Sequence, residues 1–213
     1  MIIGATKLRV GTCVRAVFLF AIFFVLVGCA TTGSVDKASQ LERNGKVAAA
    51  EAMLLGLAKS GDIAAQANLG AMYGVGKSVK RDYKKSFSWQ QKAAKRGHTI
   101  AQYNIGVLYA RGNGVAKDYK AAAYWFRQAA EAGMPEAQLH MGLMHEKGWG
   151  TIRCHYAASK WYYRAGKTFI EQGDLKMARY AQKQIQRLLP DYYLTQQLRD
   201  EIFLAGGPRQ VGN

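Results

Sequence analysis

One frame of residues returns three times along this chain at an unbroken spacing of 36 positions. Ala-Gln stands at Ala65-Gln66, Ala101-Gln102 and Ala137-Gln138, and glycine at Gly70, Gly106 and Gly142 and again at Gly76, Gly112 and Gly148. Tryptophan recurs at Trp89, Trp125 and Trp161, and alanine at Ala93, Ala129 and Ala165. A repeat of this size is one supersecondary unit that buries its apolar face only by stacking on its neighbours.

The residues say what the unit is. Gly70, Gly106 and Gly142 sit inside helical stretches, where glycine costs roughly 1 kcal/mol against alanine. A cost repeated at the same place implies close approach of a neighbouring helix. Gly112-Asn113-Gly114-Val115 ends the first helix of its unit, since glycine is favoured just past a helix end. Gly74-x-Gly76 is read as the same helix-ending turn. Asp82 and Asp118 stand where a second helix starts and accept from its free N–H groups. Trp125, Ala129 and Ala130 then form one apolar stripe, and Trp125 is expected to be buried between helices. Each repeat is therefore two antiparallel helices.

The middle copy, Ala101 to Glu136, with Tyr103, Gly106, Tyr109, Gly112-x-Gly114-Val115, Asp118, Trp125-Phe126, Ala129-Ala130 and Gly133, resembles the Sel1-like repeat, a relative of the tetratricopeptide repeat. The resemblance implies an all-α superhelix, a solenoid of about five helical hairpins. Repeats are set at 65–100, 101–136 and 137–158 onward. It also implies that the first helix of each pair lines a groove. By register the groove positions are Ala67, Ala71 and Gly74, then Tyr103, Val107 and Ala110, then Leu139, Leu143 and Glu146, with Arg111 and Lys147 on the rim. Ile105, Leu108, Tyr109, Met141 and Met144 with the tryptophans supply the hairpins' own stripe. The apolar groove residues therefore need another reason to avoid water, and a contiguous apolar patch marks an interaction site.

The two ends differ from the repeats. Lys7, Arg9 and Arg15 precede the 12-residue apolar run Ala16 to Val27, short for a spanning helix and of the length of a secretory h-region. Leu26-Val27-Gly28-Cys29 resembles the lipobox of bacterial lipoproteins. That resemblance implies a signal peptide over 1–28, acyl chains (palmitate among them) on Cys29, and a tether over 29–35. With Ala30 next, it implies sorting to the periplasmic face of the outer membrane of a Gram-negative bacterium. Cleavage removes Cys13 and leaves Cys154 as the free thiol once Cys29 is acylated. Residues 36–64 form a degenerate N-terminal hairpin broken at Gly45, with Ala50, Leu54, Leu57 and Ala58 on one face.

In the third copy His145 replaces the tyrosine of Tyr73 and Tyr109, Cys154 replaces the capping aspartate, and Gly173 arrives four residues late. From here the chain resembles a tetratricopeptide hairpin over 159–190, followed by a capping helix over 191–204 that Asp191 starts and Leu194, Leu198 and Ile202 bury. Residues 205–213 read as a flexible tail.

Charge and chemistry narrow the function. The chain holds 30 Lys and Arg against 14 Asp and Glu, a net +16. The first repeat alone carries 8 basic residues, Lys84 and Arg96 among them, against the single acid Asp82. Such a patch attracts anionic partners, in a periplasm anionic lipid headgroups, acidic glycans or acidic proteins and not nucleic acid. His140, His145, Glu146, Cys154 and His155 are a tempting metal set, but the histidines are five apart, not the four that aligns ligands on one helix face. No nucleophile turn or phosphate loop is present, so no catalytic residue, cofactor or metal is assigned. The expected function is non-enzymatic: a protein–protein interaction scaffold or assembly factor of the cell envelope. The competing readings are an envelope glycan or peptidoglycan binder and a periplasmic hydrolase of the Sel1-repeat family.

Overall fold

The computed structural model describes residues 33–206; the apolar run, the lipobox and Cys29 lie outside the described residues. Among the described residues there are helices and no strand, and no helix is long and apolar enough to cross a membrane. The described residues divide into two compact units, one up to residue 65 and one from residue 66 on.

The first unit holds α1 (33–43) and α2 (Val47–Lys59). Gly45 turns the chain between them with φ 75°, and Lys46 N–H closes the turn on the Leu41 carbonyl at 2.9 Å. Ala50, Leu54 and Ala58 are the buried face of α2, as expected; Leu57 is only half-buried. Asp62 then caps the helix that follows, accepting from Ala65 N–H at 2.7 Å.

The second unit takes in most of α3 (Ile63–Val75) and all of α4 (Tyr83–Lys95), α5 (Thr99–Arg111), α6 (Tyr119–Glu131), α7 (Pro135–Lys147), α8 (His155–Glu171), α9 (Leu175–Leu188) and α10 (Tyr193–Ala205). Asp82 accepts from Lys85 N–H at 3.0 Å, and Asp118 accepts from Lys120 and Ala121 N–H at 2.8 and 3.0 Å. At the matching place Cys154 Sγ accepts from Ala157 N–H at 3.4 Å, so the thiol keeps the aspartate's place. The same three residues also return to the preceding helix through their backbone: Asp82, Asp118 and Cys154 N–H donate to the carbonyls of Tyr73, Tyr109 and His145 at 2.9–3.0 Å.

The recurring glycines are contact points between helices. A Cβ on Gly106 would stand 2.8 Å from the Phe126 ring, and one on Gly142 would stand 2.6 Å from the Tyr162 ring. The recurring Ala-Gln pair has a role the sequence did not announce. Gln102 and Gln138 are buried, and their side-chain amides donate to the carbonyls of Ala94 and Ala130 at 3.4 and 3.1 Å. These carbonyls close the preceding helices, whose last C=O groups have no partner within the helix.

Three expectations change. The tryptophans are half-buried, not core: Lys92 lies 4.1 Å over the Trp89 ring and Arg164 4.9 Å over that of Trp161. Phe126, next to Trp125, is the residue that goes inside, at 1% exposure. Gly74 lies within α3, its Cβ position 2.8 Å from Ser86 Oγ, and the turn belongs to Gly76 with φ 66°. Asp191 does not cap α10, whose N-cap is Tyr192 with no side-chain bond. The late Gly173 has a simple origin: α8 has 17 residues where α3 to α7 each have 13, about one further helical turn.

Candidate functional site

Alternate helices of the second unit, α5, α7 and α9, line a hollow of about 470 Å³. On α7, Leu139, Leu143 and Glu146 fall at spacings of four and three and so share one face. Tyr103 of α5 stands on one side, and Met177, Tyr180, Gln184 and Arg187 of α9 form the other wall. A smaller hollow of about 230 Å³ lies among α3, α4 and α5, where Ala71, Gly74, Val107 and Arg111 gather beside Gln90 and Asn104. The groove positions expected from register are thus brought together as two hollows on one series of helices. Ala67 and Ala110 line neither: Ala67 is buried at 4% exposure, and Ala110 packs against the core.

Glu146 is where the finding departs most from expectation. It lines the larger hollow, the position expected from register, but it is buried, with 4% exposure. Arg187 Nη2 lies 2.6 Å from Oε2, Lys147 Nζ lies 2.8 Å from Oε1, and Tyr162 O–H donates to Oε2 at 3.2 Å. Burial pushes the carboxyl toward its neutral form, but hydrogen bonds and charge from Lys147 and Arg187 outweigh it and hold the pKa below the ordinary carboxylate value. Burial beside this carboxylate in turn pushes the Tyr162 phenol up. Lys147 and Arg187 remain about half exposed, with 47% and 51% of their side chains in solvent. A buried anion therefore anchors two cations at the edge of the groove.

The aromatic wall is built around His140. Its ring stacks on Phe126 with centroids 4.6 Å apart and planes 5° from parallel. Tyr103 Oη is 3.2 Å from His140 Nε2, and the two rings lie 5.5 Å apart. Burial first, and the Arg111 charge second, lower the His140 pKa and favour the neutral ring. Burial likewise raises that of Tyr103. The remaining members of the His/Cys/Glu set disperse. His145 Nδ1 is 3.2 Å from the Ile152 carbonyl, Cys154 caps α8, and His155 is exposed at the first turn of α8. Among the described residues no three His, Cys, Asp or Glu side chains gather to hold a metal ion.

The larger hollow brings together Tyr103, Leu139, Leu143, Glu146 and Lys147, which register indicates, with the α9 wall, His140 and Tyr162, which it does not. His140 and Tyr162 do carry a signal: they lie 36 residues after Asn104 and Phe126, the first on the smaller hollow and the second against Gly106. The basic first repeat shows as the exposed α4 surface, where Lys84, Lys95 and Arg96 face solvent and Lys85 lies 4.9 Å over the Tyr73 ring.

Residues 63–98, 99–134 and 135–167 match the model of the Sel1 repeat. Among solved structures the chain is similar to a Sel1 repeat protein from Oxalobacter formigenes, with 26% identity, TM-score 0.59, and coverage of 81% of this chain and 85% of that one. It is also similar in fold to c5321, described as a protective antigen of uropathogenic Escherichia coli strains displaying an SLR fold. That similarity has 24% identity and TM-score 0.60, and it covers 86% of this chain but 49% of the larger protein. No curated protein sequence matches the chain.

Proposed function

We propose that this chain, an all-α superhelix built on three Sel1 repeats, is a non-enzymatic scaffold or assembly factor that holds another polypeptide in the groove of α5, α7 and α9. Sel1 repeats as a class mediate protein–protein interaction. The observation that carries the reading for this chain is the groove surface itself. Tyr103, Leu139 and Leu143 are only half-buried: Tyr103 and Leu139 pack one side against the core, and all three line the hollow. Half-exposed apolar side chains lining an elongated groove suit a helix or extended segment of a partner. The one buried carboxylate there, Glu146, has both oxygens committed to Lys147, Arg187 and Tyr162, which fits a bracing role and not proton transfer.

The proposal includes an acyl anchor at Cys29 and a place on the periplasmic face of the outer membrane, supported by the Leu26 to Cys29 sequence after its apolar run. Photocrosslinking amino acids placed at Tyr103 and Leu143, and at Lys160 on the outer surface, test the groove in cells of the native organism. The expected result is one discrete crosslinked protein from the two groove sites and none from Lys160. Equal crosslinking from all three overturns the groove assignment. Mass spectrometry of the mature N-terminus tests the anchor: an acylated Cys29 is expected, and an unmodified terminal residue other than Cys29 ends that part of the reading.

A further inference from the structure

We infer that the groove selects an acidic segment of its partner, with apolar side chains between the acids. The inference rests on the protein-binding reading of the same groove and adds the chemistry of the ligand. Arg111 and Lys147 stand 36 residues apart in matching register, each at the last position of its helix. Both are exposed and both line the hollows. Arg187 of α9 joins Lys147 on the larger hollow, and Arg111 stands on the neighbouring smaller one. Of the acids in the groove, Glu146 is buried beneath two of these cations and Glu136 alone is exposed. Arg111, Lys147 and Arg187 face solvent against the exposed Glu136 and the buried Glu146, an excess of one positive charge over the two hollows, and Tyr103, Leu139 and Leu143 supply apolar surface along the larger one.

The cations also keep capacity to bind. Arg187 commits Nε and Nη2 to Gln184 and Glu146, and Lys147 commits one contact to Glu146. A guanidinium carries five N–H donors and an ammonium three, so donors remain for an incoming carboxylate. Glu146 holds both heads in place beforehand, which reduces the ordering cost of binding. The influence of Arg111 reaches further in, since its charge adds to the lowering of the His140 pKa that burial causes and opposes the rise that burial gives Tyr103.

Other occupants fit this sign poorly. Residues 1–32 carry Lys7, Arg9 and Arg15 and no acid; residues 207–213 carry Arg209 and no acid. A second copy brings a net +16, or about +13 once Lys7, Arg9 and Arg15 are removed with residues 1–28, and like charges across an interface oppose docking.

Fluorescence anisotropy on the full chain in detergent tests the inference, using labelled peptides of repeated Asp-Asp-Leu, Asn-Asn-Leu and Lys-Lys-Leu units. The acidic peptide is expected to bind at least about tenfold more tightly than the neutral one, and to weaken as salt rises. Arg111→Glu is expected to weaken it at least about tenfold, while Lys160→Glu, the same charge change outside the groove, shifts it less than about twofold. Equal binding of the acidic and neutral peptides overturns the inference. So does equal loss from Lys160→Glu, which marks general attraction to a basic protein, and so does absence of binding. A dimer by light scattering that Arg111→Glu dissociates overturns it in favour of self-association. If the neutral peptide binds as well as the acidic one and Tyr103→Ala with Leu143→Glu removes both, the acidic preference fails while the protein-binding groove stands. If no peptide binds and the groove crosslinks are also absent, both readings fail.

Discussion

Arg187 of α9 reaches back 41 residues to Glu146 of α7, its Nη2 at 2.6 Å from the carboxylate. This contact lies outside the 36-residue period and joins the last helices to the third repeat across the groove. Lys147 and Tyr162 hold the same carboxylate from α7 and α8, so four residues on three helices form one network with a buried charge at its centre.

Removing Arg187 leaves that charge with two partners. Stripping a partner from a fully buried pair costs about 3–5 kcal/mol, but Arg187 is half in water and its contribution is screened accordingly. Arg187→Ala is therefore expected to cost about 1–2 kcal/mol in urea denaturation. Glu146→Gln, which keeps the shape and removes the charge, tests the same network from the centre. A midpoint unchanged in both variants would show that the network contributes nothing to stability.

The pH dependence has a defined sign. The Glu146 pKa is lowered in the fold from its ordinary 4.5, so its stabilisation is full above that value and is lost as pH falls through the lower folded value. His140 and His98 are both lowered from 6.5, by burial before any other cause. The unfolded chain then binds more protons than the fold below pH 6.5, and stability falls as pH drops below it. Denaturation near pH 7.5 and again near pH 5.5 should show this loss. His140→Phe together with His98→Asn, which keeps a capping side chain, should remove most of it, and a loss that persists in the double variant would place the titrating group elsewhere.

Two glycine substitutions are expected to have opposite signs. Gly142→Ala places a Cβ 2.6 Å from Tyr162 Cε1, and overpacking a tight contact costs about 1–3 kcal/mol. Gly56 lies within α2 with nothing within 4 Å of its Cβ position. Gly56→Ala should therefore stabilise by about 0.5–1 kcal/mol through helix propensity and unfolded-chain entropy. Thermal melting of the pair reads the difference directly; the same sign in both would refute the close-approach account of the recurring glycines.

Adjacent aromatics on α6 separate core from surface. Phe126→Ala, at a site 1% exposed, is expected to cost about 3–5 kcal/mol. Trp125, half-buried with its ring 5.0 Å edge-on from Tyr124, should cost roughly half as much or less on truncation to alanine. Equal losses from the two substitutions would mean that α6 is rotated from the position described.

Much of the architecture was legible in the chain because it depends on local rules. A helix start leaves N–H groups free that a nearby side-chain acceptor can satisfy, and Asp82 and Asp118 supply one. A close helix crossing needs a residue without Cβ, and Gly106 and Gly142 mark two such crossings. Copies that obey these rules at one period must stack, so the all-α solenoid followed, and with it the helices that carry Tyr103, Leu139, Leu143 and Lys147 into the groove.

What the tertiary structure alone decided depends on rotation and on contacts across the period. Successive helical residues point about 100° apart, so whether Trp125 or Phe126 enters the core is set by how α6 rolls against α5 and α7, which composition does not reveal. The extra turn of α8 shifts everything after it out of the 36-residue register, which is why the α9 wall was not foreseen. Glu146 looked like a groove contact by position and became a buried anion because Arg187, arriving from beyond that shift, covers it. A charge leaves water only where partners are assembled for it, and partners 41 residues away exist only once the chain has folded.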